Sequence, residues 1–375
     1  MKIAIVYDWM DSWGGVERML LVLHEMFPDA MWYTSFVDYS QADWIPDHVR
    51  NDRLKTSFMQ RLPPLIRKNR ILSLPFFPHA FESFDFSEYD LVISVTSSFA
   101  KAVITKPHTK HICILLTPTR WLWGMDESYT GRFSHLSKIL SAPLVAYLRK
   151  WDYISSQRPD EIISISQTVS KRCQNYYHRS SKVIYPPFDL SYWEQLCNNN
   201  PESTYNSSKP YFLVVSRLVP YKKIDIVIEA FNRMPDKQLV IIGDGHLLTH
   251  LKKRANKSTA FYSSLTDQEL VHWYQGARAL IVPQEEDFGY VGLEAISCDC
   301  PVIAYRKGGM TEIVKEGKTG SFFEEQTSEA IQNAVEEWNS STYNGEEQRD
   351  VLTQFLSSQF KNSLRSFINQ KTKSV

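Results

Sequence analysis

The sequence predicts an α/β protein made of two doubly wound halves, each with its own parallel sheet. Three observations carry this. Short apolar runs alternate with amphipathic helical stretches, the alternation breaks at a Pro-Pro junction at 186–187, and it then restarts. Strands alternating with helices give parallel sheets with right-handed crossovers. A chain of 375 residues is long for one core and suits two.

Residues 3–7 read as a buried parallel strand, closed by Asp8 and a loop carrying Gly14-Gly15. Residues 16–26 follow with Met19, Leu20, Leu23 and Met26 at helical spacing. Further strand-like runs lie at 91–95, 112–116 and 162–165, and a helical pattern at about 136–154 separates the last two. Tyr185-Pro186-Pro187-Phe188-Asp189 and the polar stretch 198–209, with Asn198, Asn199, Asn200, Pro201 and Ser207, are linker chemistry.

In the second half, residues 211–216 predict a strand, 224–234 a helix, and 239–242 a strand ending at Gly243-Asp244-Gly245. A helix at 270–275, a strand at 279–282, a helix at 289–297 and a strand at 302–304 continue the alternation. Residues 347–370 read as one long helix with Leu352, Phe355, Leu356, Phe360, Leu364 and Phe367 along its apolar stripe. The expected domains are 1–187, 188–350, and a final helical segment, 351–375, packing back on the first.

Composition narrows the function class. Hydrophobic residues make up 43% and charged residues 22%, which excludes a disordered chain. Lys+Arg and Asp+Glu both total 42, so no net field favours nucleic acid. Cys113, Cys173, Cys197, Cys298 and Cys300 include no CxxC pair, and the CxC of Cys298 and Cys300 has no His or second Cys cluster to complete a zinc set. They read as reduced, mostly buried thiols. The apolar run at 3–7 is too short for a signal peptide, and no stretch approaches the ~20 apolar residues of a membrane span. The expected location is the cytoplasm, or the cytoplasmic face of a membrane. For the latter, residues 53–70 set Arg53, Lys55, Arg61, Arg67, Lys68 and Arg70 among Phe58, Met59, Leu62, Leu65 and Ile66, broken by Pro63-Pro64. That segment reads equally as a contact with anionic lipid or as a solvated basic face.

Three constellations could carry chemistry. In Glu286-Asp287-Phe288-Gly289-Tyr290-Val291-Gly292-Leu293-Glu294, Glu286 follows a strand and Glu294 lies within the next helix. The C-terminal edge of a parallel sheet is where ligands bind, and amides from Phe288, Gly289, Tyr290 and Val291 at a helix start suit anionic phosphate. Two acceptors for hydroxyls with amide donors between them suit a sugar on a nucleoside diphosphate. The bland reading is an acidic loop and a helix-surface Glu. Arg217 and Lys222 sit on a loop between a strand and a helix, where they either clamp a diphosphate or are simply solvated. Gly14 and Gly15 permit close backbone approach to a ligand, or only a tight turn. No DxD carboxylate pair is placed to chelate a metal.

Taken in order, Ser216-Arg217-Leu218-Val219-Pro220-Tyr221-Lys222, Gly243-Asp244-Gly245, Glu286-x7-Glu294 and residues 304–312 resemble the GT-B retaining glycosyltransferases of family 4. The resemblance covers essentially the whole chain. Phe76-Phe77-Pro78-His79-Ala80-Phe81-Glu82, Thr117-Pro118-Thr119-Arg120-Trp121-Leu122-Trp123 and Glu285-Glu286-Asp287-Phe288-Gly289 look most like its bacterial O-antigen and exopolysaccharide mannosyltransferases. The resemblance implies a GT-B fold, two Rossmann-like domains with parallel sheets facing across a cleft. It implies a hexose, mannose from GDP-mannose, moved with retention onto a lipid-linked oligosaccharide or other glycan acceptor, with no metal and no nucleic acid. Glu286 would then contact the transferred sugar, with Phe288 and Gly289 beside it. Glu294 would accept from the ribose, Arg217 and Lys222 would hold the diphosphate, and Gly15 would approach it from the N-terminal side.

The chain departs from that family at Leu116, where a His is usual, so Thr117 or Arg120 would supply the lost hydrogen bond. It departs again at Asp299 and at Ser263, each in place of Gly. A non-catalytic binding protein of the same fold, or a sugar-nucleotide epimerase or phosphorylase, remains an alternative.

Overall fold

The computed structural model describes residues 1–124, 135–199, 210–338 and 350–372. Most of the expected linker at 198–209, and the start of the expected helix at 347–370, lie outside them. The chain forms two compact units, Met1–Pro187 with Ser357–Val375, and Phe188–Leu356.

The first unit holds strands β1 (Ile3–Tyr7), β2 (Met31–Thr34), β3 (Leu54–Thr56), β4 (Leu91–Thr96), β5 (Lys110–Leu115), β6 (Glu161–Ser164) and β7 (Lys182–Val183). They form one sheet in the order β3-β2-β1-β4-β5-β6-β7, and every pairing is parallel. Every residue of β4 is buried, as a central strand covered on both faces must be. The helix Gly15–Met26 turns Met19, Leu20 and Leu23 into the core.

One charged group organises the middle of this unit. Asp152, on the helix His135–Ser156, is fully buried and paired with buried Lys101, Nζ to Oδ1 2.6 Å. Its carboxylate also accepts from Thr119 Oγ1 at 2.9 Å, Trp123 Nε1 at 2.8 Å and Tyr177 Oη at 2.8 Å. A buried charge survives only when its lone pairs are filled in this way. Thr119 and Trp123 belong to the loop that carries Thr117 and Arg120.

The second unit holds β8 (Tyr211–Val215), β9 (Gln238–Ile242), β10 (Thr259–Tyr262), β11 (Ala277–Val282), β12 (Val302–Tyr305) and β13 (Gly320–Phe323). Their order, β10-β9-β8-β11-β12-β13, is again all parallel. Relative to the first strand this is 3-2-1-4-5-6, the Rossmann order, and the first unit repeats it with one strand added. Phe212, Val214, Leu239, Ile241, Ile281 and Ile303 face one shared core with Ile228 and Phe231 of the helix Ile224–Asn232. Each such side chain contributes about 1.5–3 kcal/mol by leaving water.

The end of the chain differs from expectation. Instead of one long helix, Val351–Phe355 is a 3-10 turn, Leu356 is extended, and the α-helix runs Ser357–Thr372. Extended pairing is the cause: Phe188 N donates to Phe355 O at 2.8 Å, and Phe188 bridges Leu356. Thus residues 351–356 lie in the second unit, where Phe355 packs on Phe288, ring centroids 5.6 Å apart. The remaining helix buries Phe360, Leu364 and Ile368 in the first unit. There Lys361 pairs with Glu25 and Lys371 with Glu161.

Candidate active site

In the second unit, β8 and β11 are neighbours whose onward connections leave to opposite sides of the sheet. A crevice forms at such a switch point, beyond the strands' C-terminal ends. The loop after β8 carries Arg217 and Lys222, and the loop after β11 carries Glu286. Residue types and loop positions alone leave these as separate groups. Here Lys222 Nζ lies 2.5 Å from Glu286 Oε1, with both side chains mostly buried.

Glu286 has a second donor that sequence analysis missed, Gln284 Nε2. Gln284 is buried, and its Oε1 has no partner. Arg217 is exposed and donates from Nη2 to Tyr221 Oη at 2.6 Å. Lys222 Nζ also stands 5.3 Å from the centre of the Tyr221 ring.

Glycines set this loop's path. A Cβ on Gly243 would meet Ser216 O at 1.9 Å, and one on Gly245 would meet Leu218 O at 2.4 Å. Leu218 N donates to Asp244 O at 2.8 Å, while Asp244 Oδ1 caps Gly245 N at 2.6 Å. Gly243 and Asp244 therefore act as the seat of the basic loop, which residue type alone did not reveal. In the same way Gly308 and Gly309 lie against the Glu286–Phe288 backbone, with Gly309 N donating to Glu286 O at 2.7 Å.

Glu294 is on the helix Tyr290–Ser297, begun by Gly289 at φ 110° with no side-chain cap. Its carboxylate is buried and accepts from Tyr274 Oη at 3.1 Å, a partner also missed from sequence. Burial first, and then Glu294, push the Tyr274 phenol well above its ordinary pKa, so it stays a donor. The Phe288 side chain is buried, leaving only its backbone for a ligand, while Tyr290 and Val291 are half-buried.

In the first unit the corresponding switch point, between β1 and β4, is closed by Asp8. Its carboxylate accepts from Thr96 Oγ1 and the amides of Ser97, Phe99 and Ala100, at 2.7–2.8 Å. Gly14 is extended at φ −177°, so no left-handed turn demands glycine there. A Cβ would instead come 3.2 Å from Glu17 Oε2, and Gly15 opens the helix. Leu116 is buried and gives its amide to Thr96 O at 2.8 Å. Thr117 is buried, and Arg172 Nη1 reaches its Oγ1 at 3.4 Å; Arg120 is half-buried. Among the described residues, no three His, Cys, Asp or Glu side chains converge as a metal set would.

Residues 198–354 match the family model described as "Glycosyl transferases group 1". That stretch holds every site residue of the second unit. An uncharacterised glycosyltransferase of Methanocaldococcus jannaschii is 29% identical over 199 residues, 52% of each chain. A GDP-mannose-dependent α-(1-6)-phosphatidylinositol monomannoside mannosyltransferase of Mycolicibacterium smegmatis is 33% identical over 144 residues, 34% of this chain and 38% of that one. The chain thus spans about half the length, or less, of these curated relatives.

Solved structures agree over the whole chain. Sucrose-phosphate synthase of Thermosynechococcus elongatus superposes with TM-score 0.77 at 17% identity, covering 100% of both chains. HepE of Anabaena, solved with UDP, gives 0.70 at 16% identity over 99% of this chain and 100% of that one. The fold is GT-B, two Rossmann-like α/β domains. The family model and the names of the curated relatives point to glycosyltransferases.

Proposed function

We propose that the protein is a retaining glycosyltransferase that moves a hexose from a nucleoside diphosphate sugar to a glycan or lipid-linked acceptor. The observation that carries this reading is the Lys222–Glu286 pair at the switch point of the second unit, 2.5 Å apart. Such a pair is two half-sites for one ligand. When the donor enters, its diphosphate takes Lys222 and its sugar hydroxyls take Glu286, so each charge exchanges one partner for another. Arg217 adds a second, exposed cation for the phosphates, and Glu294 accepts from the ribose.

The bond between anomeric carbon and phosphate oxygen breaks as negative charge gathers on the leaving diphosphate. Lys222 and Arg217 meet that charge from fixed positions, the kind of term that dominates many barriers. With two cations in place the transfer proceeds without a divalent metal. Retention follows if the acceptor attacks on the leaving-group face and gives its proton to the departing phosphate. Glu286 orients the sugar and is not the nucleophile.

GDP-mannose is the donor we favour, supported by the M. smegmatis relative's named dependence and by the resemblance of the 285–289 segment. The role is in surface polysaccharide assembly. Peripheral membrane contact belongs to the same reading. Phe58, Leu65, Ile71 and Leu72 are exposed apolar side chains beside exposed Arg61 and Lys68, the mixture that interfacial segments use. No described helix is long and apolar enough to span a membrane.

The test is a transfer assay with GDP-mannose and excess EDTA, with the product anomer read by NMR. The reading expects undiminished transfer and an α-linked product. Activity lost to EDTA and restored by Mg²⁺ or Mn²⁺, or an inverted product, overturns it.

A further inference from the structure

Three cysteines of the second unit fall close together, and the transfer reaction uses none of them. Cys298 caps the helix Tyr290–Ser297, and Cys197 lies near the end of the helix Leu190–Asn198. Their sulfurs are 3.2 Å apart, although 101 residues separate them in sequence. Cys300, also buried, instead points its thiol at Pro301 O, 3.7 Å away.

We propose that Cys197 and Cys298 are a modification site, closing to a reversible disulfide on exposure to a hydroperoxide. The Cys197 sulfur attacks one peroxide oxygen as the O–O bond breaks, giving a sulfenic acid, and the thiol's proton leaves with the other oxygen as an alcohol or water. The Cys298 sulfur then attacks the Cys197 sulfur, and its proton leaves with the hydroxyl as water. Two thiols lose two electrons and the hydroperoxide gains them.

The order is set by environment. Its hydrogen bond with Cys197, and then burial, push the Cys298 thiol far above its ordinary pKa, which keeps it protonated. Cys197 is half-exposed, so the oxidant meets it first.

Closure draws the sulfurs from 3.2 Å to a bond of about 2.05 Å. That pull reaches Glu294 by two routes. Along the helix, Ser297 Oγ donates to Glu294 O at 2.7 Å. From the partner helix, Trp193 packs on Tyr274, ring centroids 6.2 Å apart, and Tyr274 holds the Glu294 carboxylate. The oxidised protein therefore binds sugar nucleotide more weakly, by roughly tenfold if one hydrogen bond to the Glu294 carboxylate is lost. This second consequence rests on the proposed function, whereas the disulfide does not.

The experiment treats the full chain with hydrogen peroxide, then measures intact mass, cross-linked peptides, melting temperature and GDP-mannose affinity. Expected are the loss of two hydrogens, a 197–298 cross-link, a higher melting temperature and weaker donor binding, all reversed by dithiothreitol. Cys197→Ser and, separately, Cys298→Ser should abolish every change. No loss of hydrogens, or a cross-link mapping to Cys298–Cys300 or Cys113–Cys173, overturns the site. A mapped 197–298 bond with unchanged affinity overturns the coupling to Glu294. Untreated protein that binds no sugar nucleotide counts against the proposed function, and the cross-link map still decides the disulfide.

Discussion

Lys222 and Glu286 lie on different loops, 64 residues apart, and join in one short ion pair that Gln284 shares. In the absence of donor, each therefore keeps the other's charge neutralised within a mostly buried crevice. In the proposed reaction, removing Lys222 takes away a cation that acts on the leaving diphosphate. Lys222→Ala should lower kcat by about 10²–10³, or about 2.7–4 kcal/mol of barrier, by analogy with loss of one oxyanion donor. Steady-state kinetics on the purified variant decide this, and a change confined to donor KM would contradict it.

Glu294, proposed to hold the ribose, should behave differently, because the ribose does not react. Glu294→Ala is expected to raise donor KM more than it lowers kcat, since uniform binding leaves the chemical step alone. Tyr274→Phe should show a smaller shift in the same direction, about 0.5–1.5 kcal/mol for one lost hydrogen bond. A Tyr274→Phe enzyme with unchanged KM and a collapsed kcat would show that Tyr274 serves something other than Glu294.

Asp299 sits at φ 57°, in the left-handed region that side chains with a Cβ avoid. Glycine is at home in that region, which fits the Gly usual at this position in the family the chain resembles. Asp299→Gly should melt above Asp299→Ala by about 1 kcal/mol of stability, the reverse of the order at an ordinary helical site. Chemical denaturation of both variants measures the difference, and an alanine variant at least as stable as the glycine one would refute it.

His111 is fully buried, with Nε2 2.8 Å from Ser94 Oγ, and burial pushes its pKa down to about 3. The folded chain thus holds it neutral, while the unfolded chain takes up a proton near pH 6.5. Below that value the unfolded state binds more protons, so stability falls with pH at up to ~1.4 kcal/mol per unit until about pH 3. Denaturant midpoints from pH 7 down to 4 should show this slope, and a His111→Asn variant should flatten it. An equal slope in the variant would assign the effect to other groups.

Much of the fold was legible because central strands are continuous apolar runs. Residues 3–7, 91–95 and 279–282 could hardly be anything else in an α/β alternation. Edge strands escaped: Lys182–Val183 is too short for a period to show, and Leu54–Thr56 hid inside a segment read for its charge. The break at Leu356 was hidden because the apolar stripe continues through it, although Phe355 and Phe360 serve different units. At the site, residue types and their loops could be read, but their pairing could not, since a contact between residues 222 and 286 leaves no periodic trace. Gln284 offered a weak signal, a polar residue directly after a buried strand and two before Glu286. Nothing in sequence links Tyr274 to Glu294.

The central claim is that the crevice beyond β8 and β11 holds a nucleoside diphosphate sugar, with Glu286 on the sugar. Calorimetric titration of the wild-type chain and Glu286→Ala with GDP-mannose and with GDP tests it most directly. Wild type should bind both, and the variant should lose affinity for GDP-mannose while its affinity for GDP is unchanged. Equal loss for both ligands in the variant, or no binding of either by wild type, would contradict it.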